Sequence, residues 1–198
     1  MRRLAVLALL AAGGPAVAEP VTGEAAGEML FGPRGQTIAL AGGLSEQERT
    51  ILRMVIDLSA SQMRQPLYWY AAIAYSPSTG LTAEPGPLAA ANHHGVAAAD
   101  RAALAACNAA QAPGAQPCVI GARVLPRGYE ARALELSFGA TSAFRDSYRR
   151  VRGEKAMAIS PVSGQFAIAT GTGAAEAAVA QCNAKSQGAG DCVVAIRN

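Results

Sequence analysis

This chain repeats itself, and that repetition limits its folds more than any other feature. One segment runs Tyr70-Ala71-Ala72-Ile73-Ala74-Tyr75, Ser76-Pro77-Ser78-Thr79-Gly80, an Ala-rich helical stretch ending Ala106-Cys107-Asn108-Ala109, a Gly/Pro loop, and Cys118-Val119-Ile120. A second runs Lys155-Ala156-Met157-Ala158-Ile159, Ser160-Pro161-Val162-Ser163-Gly164, a stretch ending Gln181-Cys182-Asn183-Ala184, a Gly-rich loop, and Cys192-Val193-Val194. The same landmarks in the same order mark an internal repeat. Upstream, Pro33-Arg34-Gly35 leads to Thr37–Leu40 and a helix, while Pro126-Arg127-Gly128 leads to Ala133-Leu134-Glu135-Leu136 and another helix. Each unit therefore predicts β-α-β-β-α-β. The expected fold is α+β with a largely antiparallel sheet, a first repeat over residues 33–125 and a second over 126–198. These form one compact domain or two closely packed halves, side by side or back to back.

Local chemistry supplies the element ends. Ser45 with Glu48 forms a capping box, after which Ile51, Leu52, Val55 and Leu58 make one helical stripe. In the second unit Phe144, Tyr148 and Val151 make a shorter one. Each Ser-Pro-x-x-Gly is a turn, because Pro presets φ and Gly accepts the positive φ that closes the loop. Gln165–Ala169 alternates and completes a hairpin, whereas Pro85 and Pro87 make the matching strand of the first unit short, at an edge, or absent.

The first eighteen residues predict export. Arg2 and Arg3 precede an apolar run from Leu4 to Ala12, and Ala16-Val17-Ala18 supplies small residues before Glu19, the pattern of a secretory signal peptide over residues 1–18. That run is far shorter than the roughly twenty residues that span a bilayer, and no later segment is longer, so the mature chain is read as soluble, without stable membrane insertion. Residues 19–32 form an N-terminal segment ahead of the first repeat. Two of the seventeen Lys and Arg residues leave with the leader, so fifteen cations face fourteen anions. That balance gives no electrostatic case for nucleic acid. The cluster Arg145, Arg149, Arg150, Arg152 and Lys155 could hold a phosphate or acidic polymer, but reads more simply as a solvated helix face.

Four cysteines in an exported chain are read as two disulfides. Three pairings are possible, and the repeat favours Cys107–Cys118 with Cys182–Cys192, each tying a helix end to the next strand. Such a bridge contributes about 2–3 kcal/mol in the loop-entropy model. Ten and nine intervening residues suit neither zinc nor a redox dithiol, so no metal is expected.

Candidate chemistry is sparse. His93 and His94 are the only histidines, with Asp100, Glu84 or Ser78 as conceivable partners in acid/base or nucleophilic work. Adjacent residues of an extended segment point to opposite sides, so the two rings are not expected to serve one centre. Gly171-Thr172-Gly173-Ala174-Ala175-Glu176 opens a helix after a strand, as a dinucleotide fingerprint would, but Glu176 opposes a pyrophosphate; a tight turn explains it. Trp69, with Tyr68, Tyr70 and Tyr75, could form an aromatic binding patch or pack in the core.

The two units resemble the domain-of-unknown-function 4189 family, with its Ala-Ile-Ala-Tyr-Ser hairpin start, its helix ending Ala-x-x-x-Cys and its Cys-x-Val-Val strand. The matching residues here are Ala72–Ser76, Ala103–Cys107 and Cys118-Val119-Ile120, echoed in the second unit. The resemblance covers about residues 68–124 and, less completely, 154–196. It implies a small exported domain and carries no catalytic residues. Over its length the chain also resembles proteins that carry the name 5-aminolevulinate synthase. That enzyme resembles a much larger fold in which a lysine holds pyridoxal phosphate beside an acidic partner. Lys155 and Lys185 are the only lysines here; one abuts a strand and the other sits in a cystine loop. No cofactor is therefore expected. The reading that follows is an exported, disulfide-stabilised binding or interaction module whose partner could be an envelope protein. A small envelope enzyme using the His93-His94 loop, or an envelope inhibitor acting through the aromatic edge, is the alternative.

Overall fold

The computed structural model describes residues 19–61 and 67–198; the expected leader, 1–18, lies outside them. Two antiparallel sheets form. Strands β1 (Gln36–Leu40), β2 (Ala71–Tyr75), β3 (Leu88–Ala90) and β4 (Val119–Pro126) stand in the order β1-β4-β2-β3, and β5 (Lys155–Ile159), β6 (Phe166–Thr170) and β7 (Val193–Arg197) in the order β6-β5-β7. Helices α1 (Gly23–Met29), α2 (Glu46–Ser61), α3 (Val96–Ala110), α4 (Phe138–Asp146) and α5 (Ala174–Lys185) cover the sheet faces. The protein is α+β.

Alternation along the central strands explains the layers. Ala71, Ile73 and Tyr75 of β2 pack toward Leu52 and Ile56 of α2, while Ala72 and Ala74 pack toward Ala99, Ala103 and Cys107 of α3. In β5, Met157 packs toward Phe144 of α4, while Ala156 and Ala158 meet Ala174, Ala178 and Cys182 of α5. Alanine facing alanine lets helix and sheet approach closely but buries little area per residue. It is on these two thin faces that the disulfides sit. Cys107 is joined to Cys118 and Cys182 to Cys192, with Cα atoms 6.1 and 6.0 Å apart. The asparagine after each helical cysteine completes the joint: Cys118 N–H donates to Asn108 Oδ1 at 2.9 Å, and Cys192 N–H to Asn183 Oδ1 at 3.1 Å.

Both sheets carry a bulge at the same place. Ile73 pairs with Ala122 and Ala74 with Ile120, leaving Gly121 unpaired; Met157 pairs with Ile196 and Ala158 with Val194, leaving Ala195 unpaired. The extra residue bends each strand locally. Gly121 has to be small, since a Cβ there would stand 3.0 Å from the Tyr75 ring and 3.1 Å from Leu52.

Several elements differ from the sequence reading. The helix capped by Ser45 begins with the reciprocal bonds of a capping box, Ser45 N–H to Glu48 Oε2 at 2.7 Å and Glu48 N–H to Ser45 Oγ at 3.3 Å. Its buried stripe, however, is Leu52 and Ile56, and Leu58 is 38% exposed. Val151 also stays outside the core, because α4 ends at Asp146 and a 3-10 turn, Tyr148–Arg150, follows; only Phe144 and Tyr148 are buried. The proline-bearing segment contributes three residues, β3, at a sheet edge.

The largest difference is that Ala133–Leu136 is not a strand. Leu134 and Leu136 instead lie across the face of the second sheet, packing with Phe144, Tyr148, Met157 and Ile196. Among the described residues no counterpart of β1 runs along β7. One residue of the N-terminal segment bridges that edge: Val21 N–H donates to Ala195 C=O at 3.0 Å and Val21 C=O accepts from Arg197 N–H at 3.0 Å, in a parallel bridge. Ala26 and Leu30, just beyond, enter the same core cluster. The first described residues of the chain thus complete its last sheet.

Replacing Cys182 and Cys192 together by alanine is expected to lower the urea unfolding free energy by about 2–3 kcal/mol, the loop-entropy value for a closure of this length. A loss well under 1 kcal/mol would show that the alanine face and the Asn183 hydrogen bond hold this joint without the sulfur bridge.

Candidate functional site

The histidine loop leads into α3 between two residues of positive φ, Asn92 at 63° and Gly95 at 104°. The segment is therefore not extended, and both rings turn to the same partner, contrary to the expectation of opposite sides. His93 is buried and its ring meets the Val162 carbonyl; its Nδ1 has no partner among the described residues. His94 Nε2 lies 3.1 Å from the Gln165 carbonyl, and His94 Nδ1 accepts the Ser137 amide at 3.1 Å. Because an amide can only donate, Nδ1 is the unprotonated nitrogen and Nε2 carries the proton. Burial, opposed in part by the Gln165 carbonyl, lowers the His94 pKa to about 4, and burial lowers that of His93 as well. Near neutral pH both rings are uncharged struts tying the first half to the turn of the second hairpin.

That turn is seated just as closely through backbone. A Cβ on Gly164 would collide with the carbonyl oxygen of Asn92. Beside it, Phe138 N–H donates to Trp69 C=O at 2.9 Å, Tyr68 stacks on the Phe138 ring at 4.2 Å, and Trp69 meets it edge-on at 4.9 Å. The aromatic candidates are consequently core rather than surface. Trp69 and Tyr70 are each 1% exposed because the segment leading into β2 runs between α3 and the start of α4, and Tyr75 is 9% exposed because it packs on the α2 side of the sheet.

Asp100 is not brought to either histidine. It lies on α3 and takes both hydrogen bonds of the Arg123 fork, to Nε at 2.8 Å and Nη2 at 2.8 Å, a bidentate pair that holds α3 to β4. Ser78 is engaged by Ser76 Oγ within its turn and by the Gln116 amide of the cystine loop, and Glu84 is exposed. The cationic cluster does not form one face either. Arg145 donates to the Leu30 and Phe31 carbonyls, and the buried Lys155 ammonium donates to those of Tyr148 at 3.1 Å and Val151 at 2.6 Å. Lys185 donates to Phe166 C=O. At the glycine-rich turn, Gly173 caps α5 at φ 77° and its amide donates to Glu154 Oε1, so a carboxylate already occupies the place a phosphate would take. Among the described residues no group of three or more His, Cys, Asp and Glu side chains could hold a metal ion.

What the junction does create is a cavity of about 460 Å³. Its apolar walls are Val21, Leu134 and Ile159 with the start of β7, Val193–Ala195; His94, Arg132, Glu135 and Glu19 add polar groups. It opens where the second sheet lacks its counterpart of β1. The Glu135 carboxylate sits against Gly95, in the space a Cβ would need, and beside the phenols of Tyr70 and Tyr129. Burial first, then this carboxylate, raises the Tyr70 pKa well above its ordinary value; burial and hydrogen bonding to Glu135 take Tyr129 up to about 12. Arg132 is committed elsewhere: Nη1 donates to Met29 C=O at 2.9 Å, Nη2 to Glu130 at 3.1 Å, and the guanidinium lies 3.7 Å over the Phe31 ring.

No protein-family model, curated protein or solved structure matches the chain. The geometry therefore carries the functional argument. Sequence reasoning named His94 but missed Glu135, Leu134, Val21 and Ile159, having placed Glu135 and Leu134 in a strand. The one available signal was a carboxylate set between two leucines, Leu134-Glu135-Leu136, which in a half-buried segment has to find polar company.

Because His94 is held neutral, the folded state binds fewer protons than the unfolded one once pH falls below the ordinary histidine value near 6.5. Its contribution is complete above pH 6.5 and is lost as pH falls toward 4, up to roughly 3 kcal/mol at 1.36 kcal/mol per pKa unit. Urea titrations at pH 7 and pH 4.5 should show this loss, and His94→Asn should flatten it. Equal slopes for the two proteins would contradict the assigned protonation.

Proposed function

We propose that the protein is a non-enzymatic, exported binding module whose ligand enters the cavity between the halves. The carrying observation is the cavity itself: about 460 Å³ walled by apolar side chains, with few polar groups, beside the β7 edge that Val21 covers only in part. Ligand sites are commonly concave, apolar and placed between structural units. Catalysis is disfavoured by the occupation of its best candidates, since both His94 nitrogens hold backbone groups and Asp100 holds Arg123.

Two disulfides suit an oxidising compartment. Among the described residues no helix is long and apolar enough to cross a membrane. With the leader-like first eighteen residues, these features support a periplasmic or secreted location. The matched cystines, Cys-Asn joints and bulges support reading the halves as two copies of one unit, and the motifs that resemble the domain-of-unknown-function 4189 family are the structural ones.

Ala133 is exposed and lines the cavity, so Ala133→Trp should close the mouth at little cost to folding. A neutral naphthyl fluorophore is expected to brighten on adding the oxidised wild-type protein and, by titration, to bind the variant at least about tenfold more weakly, a difference of about 1.4 kcal/mol. Equal brightening of both, with equal melting temperatures, would move binding away from this cavity.

A further inference from the structure

Resting on the cavity reading, we infer that its ligand is an apolar chain ending in a protonated primary amine, with the ammonium received by Glu135 and the hydrocarbon lying against Val21, Leu134 and Ile159.

The walls call for an apolar body, and the charges choose the head. Two carboxylates line the cavity, Glu135 inside and the exposed Glu19. The lining cation, Arg132, already has a carboxylate in Glu130, a carbonyl in Met29 and a ring face in Phe31. His94 is neutral, as its accepted amide requires. Nothing in the lining is therefore left to balance Glu135, which has no ion pair among the described residues.

Hydrogen bonding points the same way. Glu135 faces the phenols of Tyr70 and Tyr129, yet among the described residues its Oε1 is buried without a partner. A buried carboxylate oxygen left without a donor destabilises the folded chain. A carboxylate can take about four hydrogen bonds, so two phenols leave room for a further donor. An ammonium brings three N–H groups and the missing charge at once. A carboxylate head would instead be repelled by Glu135, and a hydroxyl would supply a donor without charge.

The test is calorimetric titration of the oxidised protein at pH 7 with octylamine, octan-1-ol and octanoate, alongside Ala133→Trp and Glu135→Gln. Octylamine should bind at least about tenfold tighter than the other two, lose affinity in Ala133→Trp, and lose its preference over octanol in Glu135→Gln. Tighter or equal binding of octanol or octanoate, still blocked by Ala133→Trp, would reject the amine head and leave the cavity reading standing. Binding of none of the three would reject both. An amine preference that survives Glu135→Gln would remove Glu135 from the site. Should that variant not fold, the ranking of the three ligands by the wild-type protein decides between amine and alternatives.

Discussion

Everything that resembles a site in this protein depends on how closely the turn Ser160–Gln165 is seated on the loop Asn92–Gly95. The contact admits no side chain at Gly164, and the Val162 and Gln165 carbonyls of the turn are met across the gap by the two histidine rings. Such a contact is stiff. Backbone meets backbone, and each ring has a proton only where an acceptor waits. It also fixes Ser137, whose amide is held by His94 and whose hydroxyl caps α4 by accepting from Ala140 at 3.2 Å. The start of α4, the approach to the cavity and the inner end of Glu135 are thus positioned from one junction.

The disulfides solve a different problem. A helix of alanines on a strand of alanines packs closely but gains little from burial, because each methyl removes little area from water. On α3 and α5 the cysteine occupies the last buried position of that stripe, at the point where the chain must turn back into the sheet. The bridge confines the loop, and the neighbouring asparagine accepts from the amide of the second cysteine, just before the returning strand. Ala-rich faces and cystines belong together here: the close approach that weakens burial also brings the Cα atoms to bridging distance.

Local elements were legible because local chemistry decides them. Ser45 and Glu48 announce a helix start, Ser-Pro-x-x-Gly announces a turn, and two proline residues foretell that the second hairpin strand of the first unit is short, at an edge, or absent. What could not be read was the competition for the edge of β7. Ala133–Leu136 has the alternation of a strand, but α4 follows at once, capped by Ser137, and its Ala140, Phe144 and Tyr148 need a partner layer. Leu134 and Leu136 serve that layer better lying across the sheet than paired beside it. The vacancy then falls partly to Val21, more than a hundred residues earlier, where no periodicity could have indicated it. The histidines were misread for a related reason: positive φ at Asn92 and Gly95 reverses the alternation that an extended chain would give.

A consequence concerns the order in which the structure can form. The segment 19–31 is the first described part of the chain, yet its partners come from its end: Val21 bridges β7, Gly23 N–H donates to Asn198 Oδ1 at 2.8 Å, and Arg145 and Arg132 hold the carbonyls of Met29, Leu30 and Phe31. The bonds of Val21 and Gly23 cannot form until the chain has been made through β7 to Asn198, and closing so long a loop is entropically costly. The first half, by contrast, can close β1 on β4 within its own span. The second half must therefore wait for the N-terminal segment to return before its cluster of Leu134, Phe144 and Ile196 is covered. Val21 and Glu19 are also walls of the cavity, so the cavity is complete only in the fully assembled chain. A ligand held there would favour the docked segment over the undocked one by the full binding term, which makes the last step of folding and the occupancy of the site a single coupled equilibrium.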